Sequence, residues 1–172
     1  VKTLWVIGID PGLSGYLVRL RGPQVQWAPM PVTRYDRVRT IDYRGVKNLL
    51  CDWKPSAHAF LERVHPYAMS AQSAFSFGAG FAMVEVALRE LEIPYTMVEP
   101  SKWMREMHQG VPANLKPKAK SLIALERRFP QFRSRVPANS KGVPYDGAVD
   151  ALLLACWGEC QIGLSRSGED FY

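Results

Sequence analysis

Four carboxylates lie where this chain otherwise reads as core, so any fold it adopts must give them a shared reason to be there. Asp10 closes the apolar run in "LWVIGIDPG", Glu62 sits inside "HAFLERV", and Asp146 and Asp150 open "DGAVDALLLACWGEC". On a 3.6-residue period, Asp146 and Asp150 share a stripe with Val149, Leu153, Trp157 and Cys160. Two ionised acids on a buried stripe are costly unless a cation neutralises them. No lysine lies on that stripe, so a bound metal is the expected partner.

The pattern along the chain predicts how those acids meet. Residues 3–9, 15–20 and 24–28 read as three short strands, with "DPGLSG" and "RGPQ" as the turns between them. Residues 42–53 predict a helix ended by Pro55. Residues 57–64 are apolar on both faces, as in a central strand, and place Glu62 mid-strand on the face of Phe60 and Val64. A long helix over 70–91, a strand over 94–98, helices over 101–107 and 118–129, an irregular loop over 133–145 and a helix from Asp146 complete the reading. The order predicts one α/β domain over residues 1–172, a mixed five-stranded sheet flanked by helices. Asp10 and Glu62 then fall on neighbouring central strands, and the last helix crosses the sheet above them.

Charge is unevenly spread. Between residues 100 and 145, ten Lys/Arg face only Glu106 and Glu126, a local net of +8; the chain nets +6, so the remainder is −2. A basic segment beside a metal site suits a polyanionic substrate. Lys116, Lys118 and Lys120 in "NLKPKAKS" stand at a helix N-terminus and form a phosphate cradle; Arg133, Arg135 and Lys141 extend the basic surface. Lys102, just after the fifth strand, is placed to stabilise transition-state charge.

Oxygen ligands without clustered His or Cys favour Mg²⁺ or Mn²⁺ over Zn²⁺. Four acids suffice for two ions ~3.5–4 Å apart, the arrangement that activates water and stabilises the leaving oxygen of an in-line phosphoryl displacement. His58, His65 and His108 show no ligand spacing. Cys51, Cys156 and Cys160 form no CxxC pair, and the last two read as packing residues, which predicts a reducing, cytoplasmic setting. No leader and no apolar run of ~18 residues is evident, so no membrane partner is expected.

With those residues in place, the chain resembles RuvC-type Holliday-junction resolvases of the RNase H-like superfamily. The likeness spans nearly its whole length, through "WVIGIDPGLSG", "AFLERVHP", "FSFGAGFAMVEVALRELEIPYTMVEPSKW" and "YDGAVDALLLA". It implies that Asp10, Glu62, Asp146 and Asp150 are the family's metal-binding acids, and that Lys102 is its active-site lysine. Lys118 or Lys116 matches the second basic position loosely. The final acids are four apart, similar to bacteriophage members; cellular enzymes usually space them three apart. A viral source and a host-cytoplasmic location follow. The aromatic that stacks at the junction centre has two candidates, His65 and Tyr67.

The resemblance implies a homodimeric, Mg²⁺- or Mn²⁺-dependent endonuclease that nicks opposing strands of four-way DNA junctions. A less selective branched-DNA or RNA-processing nuclease and a non-catalytic junction binder are the rivals. Actin-like ATPases share "IGID-G" but need a second domain with its own phosphate loop, so no nucleotide cofactor is expected. The helix over 70–91, roughly 33 Å long, carries apolar residues around much of its girth. Ala74, Gly78, Phe81 and Ala82 on it are the expected dimer contacts.

Overall fold

The computed structural model describes residues 4–63 and 70–163. Five strands form the main sheet in the order β3-β2-β1-β6-β7. β1 (Trp5–Ile9), β2 (Tyr16–Arg21) and β3 (Gln24–Pro29) make the expected antiparallel meander. β6 (Ala57–Glu62) pairs in parallel with β1, and β7 (Tyr95–Val98) in parallel with β6. Alternation of side chains along β1 explains the layering. Ile7 and Ile9 join a core with Val46, Leu50, Val84, Ala87 and Leu88, whereas Val6 joins one with Phe60, Trp103, Leu125 and Leu153.

The first core belongs to α1 (Tyr43–Trp53) and α2 (Ala71–Glu90), which precede β6 and β7 respectively and lie on one face of the sheet. The second belongs to α3 (Pro100–Met107), α4 (Pro117–Arg128), the short α5 (Pro130–Arg133) and α6 (Asp146–Gln161). α6 lies directly on β1 because Gly8 leaves no side chain between them; a Cβ there would stand 2.1 Å from the Ala151 carbonyl oxygen.

Several expectations need correction. The sequence pattern marks no element between residues 29 and 41, yet β4 (Val32–Tyr35) and β5 (Val38–Ile41) form a separate two-stranded hairpin there. Arg133 closes α5 instead of opening a loop. β6 ends at Glu62, so this residue is the last of the strand, paired with Val98, and not mid-strand. Cys156 is buried as expected, but Cys160 is exposed, because α6 passes beyond the sheet in its last turn. α2 is long and apolar enough, by length and mean hydropathy alone, to cross a membrane. In this fold its Gly80, Val84, Ala87 and Leu88 are buried.

Candidate active site

Two strand ends and one helix start build the site. Ile9 and Leu61 are register partners in the parallel β1–β6 pair, so Asp10 and Glu62 follow as neighbours at the C-terminal edge of the sheet. The tight turn after β1 holds Asp10, whose Oδ1 accepts the Gly12 N–H at 3.2 Å. The N-terminus of α6 comes down on top. An ideal Cβ at Gly147 would stand 2.8 Å from Asp10 Oδ2 and 2.7 Å from the Ser14 carbonyl oxygen, so glycine is required for this approach. Asp150 follows one helical turn later on the same side.

Burial dominates the electrostatics. Glu62 is 7% exposed and its Oε1 accepts the Trp103 Nε1–H at 2.9 Å. Its pKa is pushed up to about 8, first by loss of solvent, then by the Asp10 charge; the Trp103 hydrogen bond opposes and Asp150 adds a little. Asp150 is raised to about 6, again mainly by burial, with the Ser121 hydrogen bond opposing and Asp10 and Asp146 raising it further. Burial likewise raises Asp10, against the Gly12 N–H and the Lys118 charge. Asp150 Oδ1 is buried with no hydrogen-bond partner among the described residues. Three acids that disfavour their own ionisation, one with an orphaned oxygen, suit a cation at the same place.

Asp146 differs from the expected buried acid. Its side chain is half-exposed and pairs with Lys118 Nζ at 2.6 Å. The neutralising lysine comes from α4 and not from the stripe itself. Asp146 and, more weakly, Asp150 and Asp10 hold the Lys118 ammonium above its ordinary pKa. Lys102 Nζ lies 5.5 Å from the centroid of the Trp157 ring. Lys118 is the lysine whose ion pair with one of the four acids is seen among the described residues.

The other expected residues divide. Lys116 precedes α4 and is exposed, whereas Lys120, in its first turn, is half-buried. Arg133 is paired with Glu126 at 2.9 Å, and Arg135 donates to the Pro23 carbonyl at 2.9 Å. Lys141 is exposed in a turn closed by Asn139. His65 and Tyr67 lie outside the described residues. On α2, Gly78 and Ala82 are exposed, whereas Ala74 and Phe81 are half-buried.

Trp103, Ser121 and Gly147 are site residues that the sequence reading missed. Ser121 is 2% exposed and lies 3.1 Å from His108 Nε2. With the hydroxyl donating to Asp150, His108 must donate to Ser121 from Nε2. The glycine in "YDGAVDA" was the available signal for a close helix approach; nothing local in "PSKW" marks its Trp as a partner of Glu62.

Among the described residues, no group of three or more His, Cys, Asp or Glu side chains is spaced, as the chain stands, to hold a metal ion. The donor chemistry still fits Mg²⁺ or Mn²⁺, which complete their shells with water and substrate phosphates. Asp10, Glu62 and Asp150, with the orphaned Asp150 oxygen and pKa values raised by burial, are the residues that would hold such an ion, with Asp146 beside them.

A mixed sheet of this order with helices on both faces is the RuvC-like form of the RNase H-like fold. In particular, the chain is similar to a Thermus thermophilus RuvC structure, with a TM-score of 0.56 at 14% identity, covering 93% of this chain and 97% of that one. A structure of T. thermophilus RuvC in complex with Holliday junction substrate gives a TM-score of 0.54 at 16% identity, covering 93% and 96%. No protein-family model matches the chain. No curated protein matches it by sequence.

Proposed function

We propose that this protein is a Mg²⁺- or Mn²⁺-dependent endonuclease that resolves four-way DNA junctions as a homodimer, nicking two opposing strands. The observation that carries the reading is the cluster of buried Glu62 with half-buried Asp10 and Asp150 at one sheet edge, with an unsatisfied carboxylate oxygen. A bound metal pair supplies Lewis-acid charge and water activation at that point. The chain's own residues do the rest. Trp103 orients Glu62, Ser121 orients Asp150, and the Gly12 N–H fixes Asp10. Lys118 offers a phosphate-binding ammonium beside Asp146, and Lys116 and Lys120 extend the positive surface.

The resemblance to RuvC supports four-way DNA as the substrate, since one RuvC neighbour is in complex with a Holliday junction. Pairing of two copies along α2 would bury its exposed Phe75, Gly78, Ala82 and Val86 and provide two sites for two equivalent strands. The test is cleavage of four-way, flap, duplex and RNA–DNA substrates with and without Mg²⁺. Metal-dependent paired nicking confined to the four-way junction is expected. Equal cleavage of all branched substrates would reduce the reading to a general branch nuclease, and no cleavage of any would overturn it.

A further inference from the structure

The β4–β5 hairpin has no obvious structural reason for its composition. Residues 32–39 are all exposed, so neither face of the hairpin over that stretch is buried. Tyr35 and Val38 sit opposite each other and are 77% and 59% exposed. A lone two-stranded hairpin is marginal in water. This one is held at its base, by buried Ile41 against Gly80 of α2 and by Arg39 Nη2 donating to the Leu13 carbonyl at 3.2 Å.

The tip is more telling. Asp36 and Arg37 have φ of 45° and 67°, the left-handed pair of a type I′ turn. Glycine suits the second of these positions, and a side chain there carries a backbone cost. The chain places a guanidinium at that point. Arg34, Arg37 and Arg39 outnumber Asp36, and Arg34 and Arg37 have no partner among the described residues. Tyr35 and Val38 share one face of the hairpin, Arg34 and Arg39 the other, and Arg37 stands at the tip. Arginines at the tip and on one face, with an unpacked aromatic on the other, suit a phosphate backbone with an unstacked base. A second copy of the same hairpin would meet it with like charge.

Position adds the link to the site. The hairpin base abuts the turn that carries Asp10, and a cavity of about 550 Å³ opens there, lined in part by Pro11, Leu13, Arg39 and Phe77. The hairpin contacts α2 on one face of the sheet, whereas Lys116, Lys118 and Lys120 belong to α4 on the other. The acids lie between the two basic elements.

We propose that the β4–β5 hairpin is a second DNA-binding element: Arg34 and Arg37 contact phosphates, and Tyr35 stacks on an unpaired base at the branch. The inference rests on the branched-DNA reading above. The test measures binding of the full chain to a four-way junction carrying 2-aminopurine at the branch, in chelator, across a salt series. Arg34→Ser with Arg37→Gly removes two charges, and the glycine relieves the left-handed backbone, so the melting temperature should not fall. Log K against log[salt] should flatten by about 0.9 for each lost contact. Tyr35→Ala should lose the 2-aminopurine response and roughly tenfold in affinity, with Tyr35→Trp restoring both. Unchanged slope and affinity, with wild type binding the junction, would overturn the hairpin assignment alone. Failure of wild type to bind any branched DNA would overturn both readings. A change in sedimentation with the salt slope intact would make the hairpin a protein contact and overturn the inference.

Discussion

Replacing Glu62 by Gln should stabilise the metal-free protein, and by an amount that depends on pH. In the folded chain Glu62 titrates at about 8 against an ordinary value of 4.5. Below pH 4.5 both folded and unfolded chains hold the proton, and the residue costs nothing. As pH rises from there towards 8 the unfolded chain releases a proton that the folded one retains, so stability falls. At pH 7 the gap spans roughly 2.5 pH units, about 3 kcal/mol at ~1.36 kcal/mol per unit. That figure is a ceiling, because a proton shared among Asp10, Glu62 and Asp150 relieves part of the cost for all three. Gln keeps an oxygen to accept the Trp103 N–H but has no charge to desolvate. At about 2–4 °C per kcal/mol for a domain of this size, the variant should melt up to ~10 °C higher at pH 7 and level with wild type at pH 4. Thermal melts in chelator from pH 4 to 8 test this. Adding Mg²⁺ should then raise the wild-type melting temperature and leave the variant nearly unmoved. A gap that does not change with pH, or a variant less stable at pH 8, would refute the reasoning.

Asp146→Asn should abolish cleavage while leaving junction binding intact, and should move stability by less than about 1 kcal/mol because the Lys118 pair is exposed; cleavage and gel-shift assays on one preparation check both. Replacing Lys116, Lys118 and Lys120 together by Ala should weaken junction binding and flatten its salt dependence by up to ~0.9 per lost phosphate contact, read from a salt titration. Gly147→Ala forces a Cβ against Asp10 Oδ2 and should cost about 1–3 kcal/mol and suppress cleavage more than binding, seen by denaturant unfolding beside the nuclease assay. Gly78→Glu, at a position with open space around it, should leave the monomer folded but prevent pairing along α2, and sedimentation velocity reports the change.

The central sheet was legible because its strands are bounded by turn residues and because β1 and β6 are apolar on both faces. The hairpin was not. Exposed on both sides, it shows no alternation of polar and apolar residues, and Asp36-Arg37 lacks the Asn-Gly or Asp-Gly signature of its turn. The acids were visible as carboxylates in apolar runs, but their burial was harder to read. α6 is buried on all sides from Gly147 to Glu159 except at Asp150, so a stripe argument has little contrast on that helix, and Asp146 emerges at its open end. Lys102 draws notice by its place after β7, and Lys118 only as part of a basic cluster. Which lysine reaches the acids depends on how α4 packs on α6, a long-range contact that no local spacing encodes.

The indole beside Glu62 carries one more consequence. A tryptophan N–H donates and never accepts, so the bond from Trp103 selects Oε1 as an acceptor in either protonation state. When Glu62 is neutral the bond favours its proton on Oε2, since the carbonyl oxygen is the better acceptor, and when ionised it is Oε2 that keeps all its lone pairs for another partner. A side chain with two equivalent oxygens thus becomes asymmetric: one oxygen sets its orientation, and the other is left for proton exchange or for a cation.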